Sequence, residues 1–82
     1  PGPNPKPNPT AFPRSGPART TGSLLRVRTG PGLKHPALRL IGERGTPIQV
    51  ITQERGDSVD GNDVWDRIKD GYVSDRYVAF DE

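Results

Sequence analysis

The stretch VWDRIKDGYVSDRYV, residues 64–78, decides the fold. Val64 to Lys69 reads as a strand, Asp70-Gly71 is a tight hairpin turn signal, and Tyr72-Val73 continues the sheet on the way back. Ser74-Asp75-Arg76-Tyr77 reads as a single helical turn leading into a last short strand, Val78 to Phe80. Working outward, ERGDSVDGND (residues 54–63) reads as a polar loop with two glycines. Gly45-Thr46 opens a strand over Pro47 to Gln53, in which Ile48, Val50 and Thr52 share one face. Pro47 is tolerated there because a first strand position need not donate to the ladder. Leu38 to Ile41 is a short apolar stretch. Leu25 and Val27 alternate with Arg26 and Arg28 as the first strand, ended by the turn residues Thr29-Gly30-Pro31-Gly32. No segment repeats apolar residues at 3.6 spacing over ten positions, so no amphipathic helix is expected. The pattern predicts an all-β domain of five or six short, strongly bent antiparallel strands. Its core is expected to include Leu25, Val27, Ile41, Ile48, Val50, Ile68, Val73 and Val78.

The other end of the chain is of a different kind. PGPNPKPNPTAFPRSGPART carries prolines at 1, 3, 5, 7, 9, 13 and 17, and residues 1–21 hold only Ala11, Phe12 and Ala18 as further apolar side chains. Proline fixes φ and removes a donor, so this stretch reads as an extended polyproline II spacer in which regular sheet pairing is excluded. At about 3.1 Å per residue its nine-residue start would span nearly 28 Å. An SH3 ligand of PxxP character is the alternative. The expected division is a Pro-rich linker over 1–21 and a folded domain over 22–82.

About sixty residues are thus left to fold, and a domain of that size buries only roughly 60% of its unfolded surface. Shallow surface binding suits it better than a deep active site. The chain has no cysteine, so neither disulfides nor thiolate metal ligands contribute. No run approaches eighteen apolar residues, and no charged start with an apolar run marks an export signal, so no membrane partner is expected. The net charge of +2 hides an asymmetry. Residues 1–55 carry nine Lys and Arg against Glu43 and Glu54 (+7), and residues 56–82 carry three against eight acids (−5). A nucleic-acid binder shows a basic stripe with few opposing acids, so no nucleic-acid partner is expected either.

LRVRTGPG, followed some thirty-five residues later by VWDRIKDGYVSDRYV, resembles a bacterial SH3 (SH3b) domain over Leu24 to Phe80. The family's opening Leu-x-Val-Arg-x-Gly-Pro is met by Leu25, Val27, Arg28, Gly30 and Pro31, and its Gly-Thr-x-Val pattern by Gly45-Thr46. The second half, from Gly56 through Trp65, Asp66, Gly71 and Tyr72 to Val78, resembles SH3b copies attached to actinobacterial cell-wall hydrolases. The tail GYVSDRYV is also similar to the ending of eukaryotic SH3 domains, whose tryptophan, two tyrosines and proline line a polyproline groove. Trp65, Tyr72 and Tyr77 match that set, and Ser74 stands in place of the proline. The resemblance implies a small SH3-like barrel in a secreted, cell-wall-associated bacterial protein. It implies a non-catalytic module that targets a linked domain of the parent protein, a peptidoglycan hydrolase, to peptidoglycan or its stem or cross-bridge peptides. A protein-interaction module for a proline-rich or other extended peptide is the alternative.

For ligand binding, the candidate surface is that of Trp65, Tyr72 and Tyr77, rimmed by Asp57, Asp60 and Asp63. Aromatic faces supply apolar contact at low entropic cost, and the acidic rim favours an amine-bearing peptide. The same residues also read as sheet packing and a solvated loop, and Arg26, Arg28 or Lys34 offer the opposite polarity toward ligand carboxylates. An EF-hand-like loop needs an oxygen ligand where Val59 stands in Asp57-Ser58-Val59-Asp60-Gly61. His35, the sole histidine, has no second imidazole or thiolate to complete a zinc site. No metal and no cofactor are expected. The carboxylates lie at loops and turns, and His35 has no evident nucleophile beside it, so no catalytic residues are expected.

Overall fold

The computed structural model describes residues 12–81. It is a small all-β domain of antiparallel strands with one 3-10 turn near its C-terminal end. Its strands are β1 (Gly16–Thr20), β2 (Leu25–Arg28), β3 (Ala37–Ile41), β4 (Pro47–Val50), β5 (Thr52–Val59), β6 (Asn62–Ile68), β7 (Gly71–Ser74) and β8 (Val78–Phe80), and the 3-10 turn is Asp75–Tyr77. They form a five-stranded sheet in the order β3-β2-β7-β6-β5 and a three-stranded sheet in the order β4-β1-β8. Only Ile51 separates β4 from β5. One chain segment therefore bends out of the smaller sheet into the larger, and the Ile51 N–H donates to the Arg67 carbonyl at 2.7 Å to carry the ladder through the corner. Among the described residues the ladders remain two sheets and do not join into a closed ring.

The core follows from period-two alternation. Leu25, Val27, Ile41, Ile68 and Val73 form one buried cluster, with Ile48, Tyr77 and Val78 packed against it. Val50 is fully buried as well. Ile48 and Val78 are thus only half covered, and Ala18 and Trp65 join the buried set.

The described residues form eight strands where five or six are expected, and two corrections account for the difference. Sheet pairing is not excluded throughout the Pro-rich start, because Gly16–Thr20 is the central strand of the smaller sheet, with Ala18 facing Ile48 on one side and Phe80 on the other. Pro17 is accommodated because the ladder with β8 begins only at Ala18, and the Pro17 carbonyl accepts from the Asp81 N–H at 2.9 Å. Thr20 anchors the strand, its hydroxyl donating to the Glu43 carbonyl and accepting from the Thr46 N–H. The extended spacer expected over residues 1–11 lies outside the described residues.

The second correction is that residues 54–63 are not a loop. β5 and β6 form a hairpin closed by Asp60-Gly61, whose φ values of 51° and 85° put both turn residues in the left-handed region. Such a two-residue turn matches the right-handed twist of its strands, which is why Asp-Gly favours it. The polar composition hid the strands because this hairpin buries little, and its register slips between Arg55 and Val59.

Candidate functional site

Trp65 organises the outer face of the five-stranded sheet. On β6, Asp66 and Ile68 point into the core, so Trp65 and Arg67 point out, beside Glu54 on β5 and Ser74 and Tyr72 on β7. Trp65 is nevertheless only 2% exposed. The loop between β2 and β3 folds back over this face. A Cβ on Gly56 would collide with the Pro31 carbonyl and lie 3.0 Å from Trp65 Cδ1, so glycine at 56 lets the loop approach. The Leu33 N–H donates to Asp57 Oδ2 at 2.7 Å, and Arg28 Nη1 donates to the Leu33 and His35 carbonyls. The indole N–H of Trp65 donates to the Asp57 carbonyl at 2.9 Å. Its one polar atom is satisfied, so the ring is a packing element with one edge in a groove.

That groove has a volume of about 440 Å³. Trp65 and Ser74 line it, Leu24, Leu33 and Tyr77 give it apolar walls, and Arg26 lies along it. Leu24 is 63% exposed at a φ of 55°, a left-handed conformation that a bulky side chain adopts only under strain. Tyr77 is half-buried, held by the bond from the Thr21 N–H to its carbonyl and by Gly22 against its ring. Ser74 caps the 3-10 turn by accepting from the Arg76 N–H at 3.2 Å.

Of the six residues expected at the binding surface, the groove unites Trp65 and Tyr77 only. Tyr72 donates its hydroxyl to Glu54 at 2.8 Å, and that acceptor makes the phenol hold its proton more tightly than usual. The three aspartates have structural partners. Asp57 holds the Leu33 N–H, Asp60 lies 3.6 Å from Arg76, and Asp63 lies 2.9 Å from Arg55. Among the described residues no acid lines the groove, and the charged side chains that line it are Arg26 and Arg28. Leu24 was legible in principle. In Leu24-Leu25-Arg26-Val27 the strand period sends Leu25 and Val27 inward and leaves Leu24 outside. The part played by Leu33 depends on a loop returning over the sheet, which no local pattern encodes.

On the opposite face lies a buried polar cluster. Asp66 is fully buried, with Oδ1 accepting from Gln53 Nε2 at 2.8 Å and, among the described residues, no hydrogen-bond partner at Oδ2. Gln53 also reaches Asp75 at 3.3 Å, and its own oxygen accepts from the Arg14 N–H. Burial first, then the interaction with Asp75 and its negative charge, outweigh the hydrogen bond from Gln53 and together push the Asp66 carboxyl up to about 8. A proton on Oδ2 explains how two acceptor groups sit together.

Comparison of the sequence with models of known protein families finds no match, and a search among curated proteins finds no similar sequence.

Proposed function

We propose that this chain is a non-catalytic binding module with an SH3-like barrel of the bacterial SH3 kind. In this reading it directs a secreted bacterial protein, a peptidoglycan hydrolase, to the cell wall. The observation that carries the reading is the open groove over Trp65, walled by Leu24, Leu33 and Tyr77. A shallow, preformed, mostly apolar trough with few polar groups is the form of a site for a short extended chain. A tethered module of this type raises the local concentration of its linked domain on a polymer, so modest affinity suffices.

The test is a pull-down of the 82-residue chain on purified sacculi. Retention that falls when Tyr77 is replaced by alanine supports the reading. If sacculi leave the chain in solution while proline-rich peptides shift the Trp65 fluorescence, the module binds extended protein segments instead. If both assays are blank, it is a spacer.

A further inference from the structure

We infer that the groove recognises its ligand through a carboxylate, paired with Arg26, beside a small apolar group seated between Leu24 and Leu33. This rests on the groove being the binding surface, and it inverts the polarity that the acidic residues of the sequence suggest. Three observations carry it. Among the described residues the groove is lined by two arginines and no acid, and the neighbouring carboxylates Glu54, Asp57, Asp60 and Asp63 are already engaged with Tyr72, Leu33, Arg76 and Arg55.

The two arginines also differ in employment. Arg28 spends its guanidinium on two loop carbonyls and so positions the groove wall. Arg26 is exposed on β2 beside Leu40, and among the described residues its guanidinium has no carboxylate or carbonyl partner. A free guanidinium presents a planar fork of donors that matches a carboxylate.

Finally, Leu24 combines a strained backbone with a side chain left in water at the groove rim. Strain kept where it adds no buried contact points to a role at the site. A volume of about 440 Å³ suits two or three small residues and not a long chain. The chemistry is that of a short peptide bearing a free carboxylate next to a methyl or similar apolar group. In the cell wall this is a stem peptide.

The experiment follows backbone amide shifts of the ¹⁵N-labelled chain during titration with acetyl-Ala-Ala as the free acid and as its C-terminal amide. A parallel arm measures retention on sacculi before and after their carboxyl groups are converted to amides. The free acid should shift the amides of Leu24 to Arg28 and Tyr77, and the amide form should not. Arg26→Gln should weaken the acid's binding roughly tenfold or more, the scale of a lost charge-assisted hydrogen bond. Leu24→Gly, which removes the strain, should weaken it without lowering the melting temperature. Amidated sacculi should be retained less. Equal shifts from acid and amide, no shift from either, or an acid response that survives Arg26→Gln would overturn the carboxylate site. An acid-specific, Arg26-dependent response with no retention on native sacculi supports the site and overturns the cell-wall assignment on which the ligand's source rests.

Discussion

At the residue scale the sharpest prediction concerns Asp66, whose carboxyl is raised, chiefly by burial and then by Asp75, to about 8 against an ordinary value near 4. Between those values the folded chain holds a proton that the unfolded chain has released. The contribution of Asp66 to stability is therefore fullest below about pH 4, declines as pH rises, and levels off above about pH 8. One proton limits the slope to about 1.4 kcal/mol per pH unit. Asp66→Asn keeps a donor toward Asp75 and an acceptor for Gln53, so denaturant melts across this window should show a flattened slope and higher stability at pH 8. An unchanged slope would place the proton elsewhere. Asp70, held below the ordinary range chiefly by its hydrogen bond from Arg39, works in the opposite sense and only at more acid pH. Trp65 offers a second test. Truncation to alanine removes a ring that is 2% exposed, at a cost of about 3–5 kcal/mol, comparable with the whole stability of a domain this small. Loss of dispersed amide shifts in Trp65→Ala is the expected outcome, which is why Tyr77 is the better probe of binding. Both the tryptophan and its importance were legible in the sequence. That its indole would be closed over by Pro31 and Leu33 was not, because the covering loop is thirty residues away.

At the element scale, β1 and the β5–β6 hairpin carry the predictions. β1 is the middle strand of the smaller sheet and places Ala18 at 1% exposure between β4 and β8. A chain beginning at Thr21 should lose cooperative thermal unfolding, and Ala18→Asp should do the same by burying an unpaired charge. A truncated chain that melts as sharply as the full one would return Gly16–Thr20 to the linker. In the hairpin, Gly61 at a φ of 85° has open space where a Cβ would go. Gly61→Ala therefore costs only backbone strain, about 1–2 kcal/mol, and amide exchange should quicken in Val59 to Asn62 before it does in the core. Asp60-Gly61 is the same dipeptide as the turn signal at Asp70-Gly71, yet the sequence around it reads as a polar loop. It was obscured by strands so polar that alternation did not show, whereas Gly16–Thr20 carries no large apolar residue and contains a proline.

At the scale of the whole molecule, the basic first part and the acidic second part of the chain meet across the fold. Arg39–Asp70, Arg55–Asp63 and Arg19–Asp81 each join one part to the other. All are substantially exposed, and such pairs contribute about 0–1 kcal/mol each and are screened by salt. Raising sodium chloride to about 1 M, where screening acts within about 3 Å, should lower the free energy of unfolding by no more than about 1–2 kcal/mol. A larger loss would make the charge asymmetry a main stabilising element. By itself, the sequence determined that the domain is all-β and antiparallel, most of the inward residues from Leu25 to Val78, and the 3-10 turn at Asp75–Tyr77. These depend on period-two alternation and turn chemistry, which act within a few residues. Only the tertiary structure decided that Gly16–Thr20 is a sheet centre, that Asp57, Asp60 and Asp63 serve internal partners, and that the groove takes its charge from Arg26. Those outcomes depend on which strands become neighbours and on a loop folded back over a sheet face, contacts between positions far apart in the chain that no local pattern specifies.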